Sequence, residues 1–200
     1  NKIKSYNSDP FKTIKNKITK SDDLSRYSLI IAYLKSGNYD LATHDVKLLI
    51  KENKNYPFYY ELAGDIFFNK GDFDLSIEHY KKALKILKNN YDISNTLIKL
   101  SLAKSLLKKN DIVNIKEAIS LLEDLILIEP HWGNLWRLIA QGYGKIGKKG
   151  ITYIALAEES IIKRDFKKAK KYVDMALKDP ALPINYRLRG NDITTRIKNK

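Results

Sequence analysis

The sequence predicts an all-α fold, an α-solenoid (α-α superhelix) of about ten helices that ends in a C-terminal capping helix. Three observations carry that expectation. The chain is 44% hydrophobic and 30% charged with only nine Gly and five Pro, a composition that folds and favours helix. A Gly-Asx-aromatic turn recurs at a fixed interval, and small residues recur with it. Proline falls between the helical stretches, where a helix must stop.

The repeat comes first. The turn Gly37, Asn38, Tyr39 returns as Gly71, Asp72, Phe73, an offset of 34 residues. At the same offset Ile30 falls on Gly64, Tyr33 on Phe67, Ala42 on Ser76 and Leu49 on Ala83. A small residue in the first helix lets the second helix approach, and an aromatic follows one turn later. The turn reverses the chain, and small residues on the second helix complete the contact. This period and these places are those of the tetratricopeptide (TPR) repeat, so the fold class is a TPR-like solenoid. The fullest copy runs from Tyr60 through Gly64, Phe67 and Gly71 to Tyr80 and Ala83.

Later copies are less regular. Ala103 and Leu106 begin a third, Ala118 and Leu122 continue it, and Glu129 with Pro130 closes it. Ala118 lies 42 residues after Ser76, eight beyond the period. Five of these fall near 89–92 and three in a turn over 110–115, places where solenoids accept insertions. A fourth copy opens at Trp136, Ile139, Ala140 and Tyr143 and turns at Gly147. Tyr153, Leu156 and Ala157 then resemble a new first helix only 17 residues on, followed by Asp165, Phe166, Ala169, Val173 and Ala176. One helix over 151–164 is therefore expected to close one repeat and open the next. Asp179, Pro180 and Pro183 interrupt the chain, and 185–198 reads as a polar cap over the last apolar face. At the other end, Ser21, Asp22 and Asp23 read as an N-cap for a helix starting near Leu24. Residues 1–23, rich in Lys and Asn and broken at Asp9 and Pro10, read as a linker from an upstream domain, with one or two helical turns over 11–18. The repeat domain is expected over 24–200.

In such an array first helices line a concave groove and second helices form the outer face. With Gly64 as the eighth place of its repeat, the groove-facing places give a candidate peptide-binding set. It is Tyr27, Ile31, Lys35, Phe58, Glu61, Asp65, Phe68, Lys104, Lys108, Arg137, Gln141 and Lys145. The lining runs from apolar through acidic to basic, which suits a peptide with apolar anchors and charges that fix its direction. The alternative for the apolar end is cover by the N-terminal segment or a neighbouring domain, because a bare patch of that size is unusual. Reversing Glu61 and Asp65 to Lys is expected to weaken a peptide partner without unfolding the chain. The same acidic pair would repel a carboxylate, which argues against the TPR subclass that grips chaperone C-termini.

Catalytic constellations are missing from the sequence. The chain has no Cys, and His44, His79 and His131 are scattered, with no H-E-x-x-H, so each reads as a surface or packing residue. There is no G-x-S-x-G and no P-loop; Gly147 and Gly150 read as helix-end and turn residues. Glu158 and Glu159 are adjacent on a helix, so they point in different directions and cannot act on one atom. No apolar run approaches the roughly 18 residues of a membrane span. The formal charge of +14 comes mostly from Lys, with six Arg; a low-GC codon bias accounts for such a composition, and the alternative is a basic surface that attracts acidic proteins, anionic lipid or nucleic acid. The aromatics occupy packing places rather than alternating with Arg on a platform, so nucleic acid is not the expected partner.

The last third carries a narrower resemblance. Pro130, His131, Trp132, Trp136, Arg137, Ala140, Gln141, Tyr143, Gly144 and Gly147 appear in order. They are followed by Ala155 to Glu159, by Arg164, Asp165, Phe166 and Ala169, and by Tyr186, Arg187, Arg189, Asp192 and Ile193. This order resembles the C-terminal TPR tail of alphaproteobacterial periplasmic zinc metalloproteases of the H-E-x-x-H class, relatives of enzymes that survey outer-membrane protein assembly. The resemblance implies a non-catalytic tail that docks substrate proteins or assembly components, or packs on its own upstream protease domain and regulates access. It places zinc and the catalytic Glu in that upstream domain, and no cofactor in this chain. It implies a periplasmic location; a free-standing cytoplasmic adaptor is the alternative.

Overall fold

A computed structural model describes residue 9, residues 23–90 and residues 95–199, the side chains of 89 and 90 excepted. Among the described residues there are ten α-helices. These are α1 (Asp23–Lys35), α2 (Tyr39–Glu52), α3 (Pro57–Lys70), α4 (Phe73–Asn90) and α5 (Thr96–Lys108), then α6 (Ile112–Ile128), α7 (Gly133–Lys145), α8 (Lys149–Ile162), α9 (Phe166–Leu177) and α10 (Ile184–Lys198). The helical turns expected over 11–18 and most of the N-cap and linker lie outside the described residues, as do residues 91–94 of the stretched link. The chain divides into two compact units, the boundary falling inside α5 between Ser105 and Leu106.

In the first unit, α1 packs on α2, α2 on α3, and α3 on α4. Ile30, Val46, Leu49, Leu62 and Ile66 are completely buried in one cluster with Tyr27, Ile31 and Phe67. Burying each large aliphatic side chain contributes roughly 1.5–3 kcal/mol. α3 and α4 meet tightly at Gly64. Gly64 has no Cβ, and one placed there would lie 2.5 to 2.8 Å from three ring carbons of Tyr80. The Tyr80 ring therefore occupies the space a side chain would need. On the same face Ser76 donates its hydroxyl to the Gly64 carbonyl at 3.0 Å and lies 2.9 Å from the Ser105 hydroxyl of α5. Gly71 ends α3 in the left-handed region (φ 86°), and Asp72 N–H closes back to the Phe67 carbonyl at 2.9 Å.

The second unit is likewise built from helices that pack on their chain neighbours. Its α8 packs on α7 before it and on α9 after it, the shared role expected from the sequence, over 149–162 rather than 151–164. The capping helix α10 packs on both α9 and α8, with Ile193 and Gly190 buried. The turn after α8 has the hydrogen-bond pattern of the turn after α3, Asp165 N–H reaching the Ser160 carbonyl at 2.9 Å. Here Arg164 rather than Gly adopts positive φ, 59°.

Two expectations change. The insertion placed in a turn over 110–115 is largely helix: α6 begins at Ile112, and Asp111 caps it by accepting from Asn114 N–H at 2.9 Å. Gly150 is not a turn residue. It lies in the first turn of α8, where its N–H donates to Asp179 Oδ2 at 2.9 Å and a Cβ would lie 2.6 Å from that oxygen.

Three stability results are expected. Gly64→Ala should cost about 1–3 kcal/mol by urea denaturation, because the methyl forces Tyr80 out of place. Gly144→Ala should be neutral or stabilising by up to about 1 kcal/mol, since its Cβ meets only Thr152 at an ordinary 3.8 Å. Arg164→Gly should raise stability by about 1 kcal/mol by releasing a left-handed non-glycine residue.

Candidate functional site

The first-helix surface of each unit is where the sequence places peptide binding. In the first unit α1 and α3 meet at Tyr59, whose hydroxyl donates to Asp23 Oδ2 at 2.8 Å and whose ring centroid lies 6.4 Å from Tyr27 and 4.5 Å from Tyr56. Burial, followed by the hydrogen bond to Asp23, pushes the Tyr59 hydroxyl far above its ordinary range, so it remains a donor. Tyr27 and Ile31 are buried in the core instead of lining an open groove, because they share the α1 stripe that packs against Leu49 and Leu62.

The acidic middle of the expected lining is also part of the packing. Glu61 is only 6% exposed. Asp65 is half-buried and accepts from the Tyr80 hydroxyl at 2.7 Å. Burial and then the Asp65 charge hold that hydroxyl protonated. Reversing Glu61 and Asp65 to Lys would thus bury an ammonium and remove the acceptor from Tyr80, so the substitution is expected to destabilise the repeat as well as alter its surface. Besides Asp65, four candidate residues of this unit keep accessible surface. Lys35 is exposed, Lys104 is half-buried, and Phe58 and Phe68 are half-buried, edge-on to Tyr56 at 5.4 Å and to Phe73 at 5.7 Å.

In the second unit Lys108 and Gln141 are exposed. Lys145 closes the end of α5, donating to the Leu107 carbonyl at 2.6 Å and to Asn110 Oδ1 at 3.2 Å. Arg137 is exposed over half its side chain (56%) and donates through Nε to Glu159 at 2.8 Å. Glu159 also accepts from Lys163 at 2.6 Å, while Glu158 accepts from Arg189 at 2.7 Å and from Arg196 at 3.2 Å. The two carboxylates do point to different flanks of α8, one toward α7 and one toward α10. Arg189 also lies 4.5 Å from the Trp136 ring centroid, and Trp136 Nε1 donates to the Pro130 carbonyl at 2.9 Å. Adjacent acids in the run from Ile154 to Ile161, apolar apart from them and Ser160, are the signal for this network. A second link joins three helices, Tyr143 and Tyr186 both donating to Glu123 Oε1 at 2.7 and 2.8 Å. Burial, chiefly, pushes the Tyr143 hydroxyl up to about 12.

The histidines take surface and packing places. His44 and His131 are exposed, and His79 is half-buried and stacks on Phe67 with ring centroids 5.2 Å apart. Among the described residues no group of three His, Cys, Asp or Glu could hold a metal ion, and no helix is long and apolar enough to cross a membrane.

Residues 57–90, which take in α3 and α4, match the tetratricopeptide repeat model. The structure is similar to structures of MamA. The MamA RS-1 ArsTM double mutant matches with a TM-score of 0.63 at 16% identity, over 88% of this chain and 96% of that one. A crystal structure of MamA matches with a TM-score of 0.62 at 16% identity, over 86% and 98%. The fold is TPR-like. At that identity the likeness carries the fold alone, and no curated protein matches the sequence. TPR repeats mark protein–protein interaction modules, so the surface to be explained is one that meets a polypeptide.

Acid should act on the second unit through Glu159. Burial raises its carboxyl, and the bonds from Lys163 and Arg137 more than offset this, so its folded value lies below the ordinary range. A depressed carboxylate contributes stability above its unfolded value, about 4.3, and that contribution is lost as pH falls through the folded value. Glu159→Gln should therefore lower stability by about 2 kcal/mol at pH 7 and flatten the loss below about pH 4 in urea titrations.

Proposed function

We propose that this chain is a polypeptide-docking module without chemistry of its own, and that the first-helix residues Lys35, Phe58, Phe68 and Lys104 hold the bound segment in its first unit. The observation that carries this is the accessibility of those four on a TPR-like scaffold whose neighbouring places, Tyr27, Ile31 and Glu61, are buried. Two aromatic faces and two flanking ammonium groups fit a segment with apolar anchors and acidic neighbours. Lys108, Gln141, Arg137 and Lys145 are the corresponding candidates in the second unit, where Arg137 and Lys145 also serve the packing.

We further propose that the docked polypeptide is delivered to, or the module packs on, an upstream zinc protease domain in the periplasm. Its support is the order of residues from Pro130 to Ile193, which resembles the tails of such proteases. The zinc and any outer-membrane assembly partner belong to that reading, not to this chain. The test is the coding sequence before Asn1. A signal peptide and an H-E-x-x-H motif support the protease tail, whereas a reading frame opening close to Asn1 would replace it with the cytoplasmic adaptor.

The docking surface has its own test. With a protease-inactivated full-length protein as bait, segments cross-linked to the first unit should be identified and synthesised as peptides. Phe68→Ala with Lys35→Glu should weaken their binding by about ten-fold or more, as expected when an anchor is truncated, with unchanged thermal unfolding. Equal affinity in the folded double variant would move the site off these helices.

A further inference from the structure

The second unit carries a surface that the first-helix reading does not use. Between the start of α8 and the end of α9 lies an open pocket of about 460 Å³. Its apolar lining comes from Ile151, Tyr153, Met175, Leu182 and Pro183. Three lysines, Lys148, Lys149 and Lys178, stand around it, and all three are exposed.

The acidic residue in this pocket is already committed. Asp179 accepts from Gly150 N–H through Oδ2 and from Ala181 N–H through Oδ1, each at 2.9 Å. It occupies one first-turn N–H of α8, and the attraction for an anion comes from the lysine ammonium groups. The charge continues along α9, where Lys167, Lys170 and Lys171 are exposed on the face opposite the buried Ala169, Val173 and Ala176. Asp174 is the one acidic side chain on that face within the helix.

We propose that this pocket docks an acidic peptide segment through one large apolar side chain, with the segment's carboxylates meeting Lys148, Lys149 and Lys178 and then the basic face of α9. The anchor would fill the space between Tyr153, Met175 and Leu182. Peptide is favoured over nucleic acid by the form of the site. A concave apolar pocket receives a side chain, and its cations are lysines, which act as point charges instead of bidentate phosphate forks. The nearby aromatics are turned to each other, Tyr153 stacking on Tyr172 with centroids 6.2 Å apart, so no open platform is offered to bases. Charge complementarity around an apolar anchor gives both attraction and register.

The test uses the full chain and a fluorescein-labelled Glu-rich peptide carrying one central Phe, followed by anisotropy. Saturable binding is expected. It should weaken about ten-fold when the Phe becomes Ala, and by a similar factor in the protein variant Lys148→Glu with Lys178→Glu. Both lysines are on the surface, so the fold should persist by circular dichroism; Met175→Glu, which places a carboxylate in the pocket, is the independent check and should also weaken binding. Raising salt to about 0.5 M, where the Debye length is about 4 Å, should reduce but not abolish binding of the Phe peptide. No saturable binding, equal affinity for the Ala peptide, or tighter binding of an oligodeoxythymidine of equal charge would each overturn the proposal. Variants at Phe68 and Lys35 should leave this binding unchanged, so its failure is separable from failure of the first-helix surface.

Discussion

The contact between Gly64 and Tyr80 fixes the geometry of the first unit. An aromatic ring lies where any side chain at residue 64 would stand, so α3 and α4 approach more closely there than a side chain would allow. Consequences spread from it in both directions. The Tyr80 hydroxyl takes Asp65 as its acceptor, Ser76 takes the Gly64 carbonyl, and Ser76 meets Ser105 in α5. Three helices are thereby set by one missing Cβ and three short polar links. Which side chains of α3 remain at the surface follows from that setting: Phe58 and Phe68 stay accessible, while Glu61 does not.

The second unit reaches a comparable end by electrostatics. Glu158 and Glu159 sit in the middle of α8 and would be costly there without partners. Each receives two basic side chains, and those four residues come from α7, α10 and Lys163 just after α8. Together with the Glu123, Tyr143 and Tyr186 link, this ties the terminal helix to α6, α7 and α8 through directional bonds. Such bonds specify orientation in a way that apolar contact alone does not. They also explain why a helix as polar as α10 stays in place with only Gly190 and Ile193 buried.

Much of this was legible in the residues. The 34-residue offset, the Gly71 turn and the sharing of α8 by two neighbours follow from patterns that local sterics impose, and such patterns survive in sequence. The division of the groove places was not legible. Periodicity says that Ile31 and Lys35 share a side of α1, but not that the first is buried among Leu49 and Leu62 while the second is exposed. Acidic residues misled for the same reason: Glu61 and Asp65 read as surface charge, and only the position of Tyr80 shows that Asp65 is half of a hydrogen bond. Gly150 looked like a turn because its reason for being glycine, the Asp179 carboxylate, lies 29 residues away.

Segment-resolved hydrogen exchange on the intact chain tests the central claim most directly, that the α3–α4 contact is the fixed point of the first unit. The slowest amides should lie around Gly64 and between Ser76 and Leu87, slower than those of α1 and far slower than those of the turn at 109–111. Exchange at Gly64 and Tyr80 as fast as in that turn would contradict the account, since a surface cannot be positioned by a contact that opens as readily as a loop.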